Sequence, residues 1–158
     1  MSVRRSLLLA GLFAVAATPA LAIEVTRSVE VAAPPAKTWA TIGAFCQIGS
    51  WHPALEKCDL SQKGGATIRT LHLKGGGTIV EEQTARDDKT MSYGYKILES
   101  PLPVADYMST ISVKPHGTGS TITWTGHFKA KGAPDAKAAE VITGIYDSGL
   151  ASLRDAAK

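Results

Sequence analysis

Between Ile23 and Val31 apolar and polar residues alternate, with Ile23, Val25, Val29 and Val31 on one face and Glu24, Thr26, Ser28 and Glu30 on the other. Period-two alternation predicts a strand half-buried against a core. Pro34-Pro35 then opens a short helical stretch in which Trp39 and Ile42 share a side before Gly43 interrupts it. Phe45 to Trp51 reads as a second short turn or helix, stopped by Pro53. From Leu55 to Phe128 runs of strand character alternate with Gly64-Gly65, Gly75-Gly76-Gly77, Asp87-Asp88, Pro101 to Pro103 and Gly117 to Gly119. Turn signals so spaced predict a meander of antiparallel strands. The period changes only near the end. After Gly132-Ala133-Pro134, the residues Ala138, Val141, Ile142, Ile145, Gly149, Leu150 and Leu153 recur at helical spacing, and Asp135 or Ala133 can cap the start.

This order predicts an α+β fold in which a curved antiparallel sheet of about seven strands wraps a long C-terminal helix, with two short helices after the first strand. The sheet must bury its apolar face, and the last helix is the only element long enough to cover it. A strongly curved sheet gripping one helix rarely packs solid, so a hollow is expected between them.

The opening residues change the picture of where this domain works. Arg4 and Arg5 precede an apolar run from Leu7 to about Ala17, and Ala20-Leu21-Ala22 follows. A charged start, a short apolar stretch and a small-x-small site predict a secretory signal peptide over residues 1–22, with cleavage after Ala22 and a domain over residues 23–158. The apolar run is too short to span a bilayer comfortably, and Ile23, not a cysteine that could carry a lipid, stands directly after the site. A periplasmic or secreted protein without a membrane anchor is expected. The arginine pair leaves both general secretory and twin-arginine export open.

Of the 158 residues, 136 would remain after cleavage, enough for one domain with a real core. Loss of Arg4 and Arg5 lowers the formal charge from +3 to +1, and so weak a charge gives no electrostatic footprint for nucleic acid. Cys46 and Cys58 are the only cysteines. In an oxidising compartment they are expected to form a disulfide, two free thiols being the alternative, and closing so short a loop would stabilise the fold by roughly 2 to 3 kcal/mol.

Against this order of elements, the strings APPAKTWATIGAF, Trp51-His52-Pro53, IRTLHLKGGGTIVEE and YGYKI resemble the SRPBCC superfamily of START, polyketide cyclase and birch-pollen allergen relatives. The resemblance runs from Ile23 to the C-terminus and implies a helix-grip fold. PLPVADYMSTISV, ITWTGHF and ITGIYDSGLASL are similar, more narrowly, to exported MxaD-type proteins. That likeness implies an accessory role between a periplasmic methanol dehydrogenase and its cytochrome. Elsewhere in the superfamily the hollow holds lipids, hormones or polyketides, and a minority of members are cyclases or dehydratases. Fold alone does not choose among these.

The residues themselves suggest a site. A three-residue Lys74-Gly75-Gly76 loop would set Leu71 opposite Ile79 and Arg69 opposite Glu81 on the concave face. Arg69 and Glu81 could then anchor a ligand carboxylate, carbonyl or hydroxyl, or form a structural ion pair at the rim. Tyr93 and Tyr95, Tyr107 and Ile111, and Trp124 and Phe128 share faces of successive strands, and with Trp51, Leu71 and Ile145 they are the expected lining or, read more plainly, ordinary core. Gly126 between Trp124 and Phe128 would leave space in that wall. His52 is the general-base candidate near the expected mouth, against the plainer reading of a surface histidine.

No HExxH or close cysteine/histidine spacing predicts a metal site, Gly75-Gly76-Gly77 joins strand to strand and so cannot present a phosphate to a helix N-terminus, and no cofactor is expected. The favoured reading is a non-enzymatic protein that binds a small apolar ligand or assists a protein partner, such as a dehydrogenase and cytochrome pair. A cyclase or dehydratase using His52, Arg69 and Tyr95 in the same hollow is the alternative. An adaptor with a collapsed cavity is the third.

Overall fold

The computed structural model describes residues 22–158, so the predicted signal peptide lies outside the described residues apart from Ala22. Strand β1 (Ile23–Val31) is followed by helices α1 (Pro35–Ile42) and α2 (Ile48–Trp51). Six strands come next: β2 (Leu55–Lys63), β3 (Ala66–Leu73), β4 (Thr78–Asp87), β5 (Ser92–Glu99), β6 (Val104–His116) and β7 (Gly119–Ala130). Helix α3 (Asp135–Ala156) ends the fold. The seven strands form one antiparallel sheet in the order β1-β7-β6-β5-β4-β3-β2, so each hairpin pairs neighbours and only β1 crosses over to close against β7. This is the expected helix-grip arrangement. One cap differs from expectation. Pro34 and Pro134 occupy the N-cap positions of α1 and α3 without side-chain caps, and Asp135 lies instead in the first turn of α3, where its charge faces the positive end of the helix dipole.

The loop after β3 sets the register. Leu73 N–H donates to the Gly77 carbonyl at 3.1 Å, enclosing the three residues Lys74 to Gly76, and the pairing that follows is Leu71 with Ile79 and Arg69 with Glu81. Arg69 and Glu81 therefore both turn inward.

Helix α3 does not lie centrally across the sheet. It packs chiefly against β1 and β7, through a stripe that includes Ile142, Tyr146, Gly149, Leu150 and Leu153. The half of the sheet built from β3, β4 and β5 is left with little helix above it. At one end of that half the gap is filled: Trp39 and Phe45 pack on Tyr93, with ring centroids 6.0 and 5.8 Å apart. The other end stays hollow.

Cys46 and Cys58 form the expected disulfide, with their Cα atoms 5.5 Å apart, and tie the segment between α1 and α2 to edge strand β2. Among the described residues no helix is long and apolar enough to cross a membrane.

Candidate functional site

The hollow is a cavity of about 360 Å³, at the lower end of the range for small-molecule sites. Leu71 and Leu73 of β3, Ile79 and Glu81 of β4, and Tyr95 and Ile97 of β5 form its floor, with Tyr107 and Trp124 from β6 and β7. Ile48, His52 and Leu55 supply one side, and Val141, Ile142 and Ile145 of α3 the roof. The exposed residues Ala54, Gly75 and Gly76 mark the open end. Nearly every contributor is aliphatic or aromatic.

Glu81 is the one carboxylate in this wall, and it is 4% exposed. Its Oε2 accepts from Arg69 Nε at 2.6 Å, and Arg69 Nη1 donates to the Phe45 carbonyl at 2.5 Å. The Arg69 guanidinium is wholly buried, 4.0 Å from the centroid of the Phe45 ring and 4.8 Å from that of Tyr95, so the aromatic faces take up charge that hydrogen bonds leave over. Burial is the largest influence and works against its charge, but Glu81 together with Tyr93 and Tyr95 outweighs it and holds the arginine above its ordinary pKa. Burial likewise pushes the Glu81 carboxyl up, while Arg69 pulls it back toward ionisation. At 2.6 Å the pair is a charge-assisted hydrogen bond closed off from solvent.

Beside it lies a buried hydroxyl cluster. Trp124 Nε1 donates to Tyr95 Oη and to Ser109 Oγ, each at 3.0 Å. Ser109 Oγ donates to the Thr125 carbonyl at 2.8 Å and meets Tyr146 Oη at 3.0 Å, and Tyr107 is hydrogen-bonded to Tyr146. Burial pushes the Tyr146 phenol up to about 12 and the Tyr95 and Tyr107 phenols well above their ordinary value, so all three keep their protons.

His52 is buried, at 5% exposure, and not the surface histidine that was the plainer expectation. Its Nε2 lies 3.1 Å from the Ile145 carbonyl, which can only accept, so Nε2 carries the hydrogen. Nδ1 then accepts the Ala54 N–H at 3.3 Å. Desolvation lowers its pKa. Although the ring lines the cavity, both nitrogens are engaged with backbone and neither is free to take a proton from a ligand. Gly149 makes this packing feasible, because a Cβ there would stand 2.8 Å from His52 Cδ2 and 2.9 Å from Trp124 Cζ3.

The cavity thus brings together Leu71, Glu81, Tyr95, Tyr107, Trp124 and Ile145 from the predicted set, with His52. Trp51, Arg69, Tyr93, Ile111 and Phe128 are buried but stand behind the wall. Arg69 is screened by Glu81, its own partner, and Ile111 and Phe128 are 0% exposed within the packed half of the sheet. The space expected beside Gly126 is also taken. A Cβ at Gly126 would lie 2.2 Å from Tyr146 Oη, because α3 drives that phenol into the gap the glycine leaves. Tyr146 was absent from the predicted site, yet it stands four residues after Ile142 and three before Gly149 on the apolar stripe of the helix. Ile79 and Val141 were missed as lining for a simpler reason. Strand and helix periodicity assigns a face but not the end of the sheet at which the helix stands off.

A family model described as polyketide cyclase / dehydrase and lipid transport matches residues 22–158. The chain belongs to that family. Among solved structures, the chain is similar to the protein XoxI of Bacillus cereus, with 34% identity over 85% of this chain and 94% of that one and a TM-score of 0.80. An uncharacterised protein of Bacillus thuringiensis is similar at 32% identity over 85% and 98% of the two chains, also with a TM-score of 0.80. The ZhuI aromatase/cyclase of a Streptomyces species shares the fold, with a TM-score of 0.70 at 19% identity over 86% and 93% of the chains. Comparison with curated protein sequences returned no match.

Proposed function

We propose that this protein is exported and holds a small, mostly apolar molecule without transforming it. The cavity carries this reading: about 360 Å³ of space walled by aliphatic and aromatic side chains, in a family described in terms of both cyclisation and lipid transport. The engaged nitrogens of His52 and the screening of Arg69 weigh against the cyclase or dehydratase alternative, since His52 has no free nitrogen to offer a ligand and Arg69 is sealed behind Glu81, outside the cavity lining. Export is supported by Arg4 and Arg5, the apolar run after them, Ala20-Leu21-Ala22, and the Cys46–Cys58 disulfide, a bond that persists in oxidising compartments. The strings shared with MxaD-type proteins support an accessory role beside a periplasmic dehydrogenase and cytochrome as the physiological setting.

The neutral dye N-phenylnaphthylamine, which brightens when shielded from water, tests the cavity. It should fluoresce on binding the wild-type protein, and Val141→Trp should abolish the signal in a folded protein. Val141 lines the cavity yet is only half-buried, so an indole there adds bulk to the hollow with little strain on the core. A wild-type protein that leaves the dye dark has no usable cavity, and the reading fails.

A further inference from the structure

Glu81 is the charged side chain that lines the cavity, and its counter-charge stands behind it. Arg69 Nε is bonded to Glu81 Oε2, Nη1 to the Phe45 carbonyl, and Nη2 is sealed from outside without a partner. No part of this guanidinium has exposed surface, so it offers a guest neither a hydrogen bond nor close contact. The 2.6 Å bond to it keeps Glu81 ionised.

The other polar side chains of the wall are engaged with the protein. His52 gives its hydrogen to the Ile145 carbonyl and takes the Ala54 N–H. Trp124 Nε1 donates to Tyr95 Oη and Ser109 Oγ, Tyr107 is bonded to Tyr146, and the Tyr95 hydroxyl is in hydrogen-bond contact with Ser109 and Tyr107. At the open end the Gly76 N–H is held by the Leu73 carbonyl. A carboxylate inside would give up water, find no side-chain donor in place of it, and stand nearer to Glu81 than to Arg69. Loss of hydration alone penalises either sign of charge. Glu81 in front of Arg69 adds a penalty for one sign only.

On the reading that this cavity holds a small apolar molecule, we propose that Glu81 makes it select against anions, so that uncharged guests bind and a carboxylic acid enters only after taking up a proton. The filter lies in the order of the two side chains. With the arginine in front and the glutamate behind, the same pair would attract the anions it now turns away.

Displacement of N-phenylnaphthylamine by naphthalenemethanol, naphthylmethylammonium and naphthoate, which share one ring system, tests this. At about pH 7 the alcohol should bind best, and the ammonium at least about tenfold better than naphthoate. Relative to the alcohol, naphthoate should gain about tenfold for each unit that pH falls from about 7 to about 5.5, because only its protonated fraction binds. Of the titratable groups around Glu81, Arg69 and the Tyr95, Tyr107 and Tyr146 phenols hold their protons throughout, and the alcohol reference cancels any titration of His52. Glu81→Gln leaves Arg69 Nε an acceptor while removing the negative charge, and there naphthoate should gain at least about tenfold on the alcohol at about pH 7. Naphthoate that binds as well as the ammonium, that shows no dependence on pH, or that gains nothing in a folded Glu81→Gln protein overturns the proposal and leaves the cavity reading standing. Absence of dye binding overturns both. Should the variant not fold, the wild-type series decides the matter.

Discussion

Arg69 keeps its charge with no exposed surface, and the residues that permit this are Glu81, the Phe45 carbonyl and the faces of Phe45 and Tyr95. Removing one member of such a pair strands the other as an uncompensated buried charge. Arg69→Met or Glu81→Leu should each destabilise the protein by about 3 kcal/mol or more, while the double substitution should cost much less than the two together. Urea denaturation of the four proteins gives the comparison, and single variants with wild-type midpoints would refute the buried pair. The pairing was legible in the chain because a three-residue loop sets the register of a hairpin, and register decides which side chains meet. The role of each partner was less legible. Sequence places Arg69 and Glu81 side by side on one face, but which of them stands in front depends on side-chain paths, and Glu81 reaches the cavity while Arg69 does not.

His52 joins three elements: it follows α2, accepts from the backbone just before β2 and donates to the α3 carbonyl of Ile145. The imidazole does this only while neutral. Burial sets its folded pKa below the 6.5 of an unperturbed histidine, so between that lowered value and 6.5 the unfolded chain binds the proton more readily. The contribution is complete above pH 6.5 and is lost as pH falls through that window. Thermal melting should therefore drop more for wild type than for His52→Asn between about pH 7.5 and about pH 5.5, a range above the titration of most carboxylates. Parallel curves would show that the ring does not titrate on unfolding. The elements themselves were largely readable. The first strand begins and ends where alternation does, and the helical period starts where α3 starts. The position of α3 over β1 and β7 was not readable, because periodicity reports the phase of an apolar face and not its lateral placement. Tyr146 illustrates the gap. It fills the space beside Gly126, and nothing in the spacing of Trp124, Gly126 and Phe128 announces a visitor from another element.

At the scale of the whole molecule, maturation and oxidation are expected together. The protein recovered from outside the cytoplasm should have the mass of a chain beginning at Ile23 and two hydrogens lighter than its reduced form, because Cys46 and Cys58 are joined. Quantitative alkylation of both thiols before any reduction would contradict the bond, and an intact residue 1–22 segment would contradict the cleavage. Loss of the disulfide matters beyond stability, since it anchors the segment leading into α2, whose Ile48 lines the cavity. The off-centre helix has a wider consequence. Folding leans on the half of the sheet that α3 covers, where Ile122, Phe128 and Leu153 have no exposed surface, whereas the proposed binding cavity leans on the other half around Leu71, Ile79 and Ile97. A trimmed side chain that already borders empty space enlarges a void without opening one in packed core, where the destabilisation is greatest. Ancestry can therefore exchange one guest molecule for another by editing one flank of the sheet, while the opposite flank keeps the chain foldable throughout.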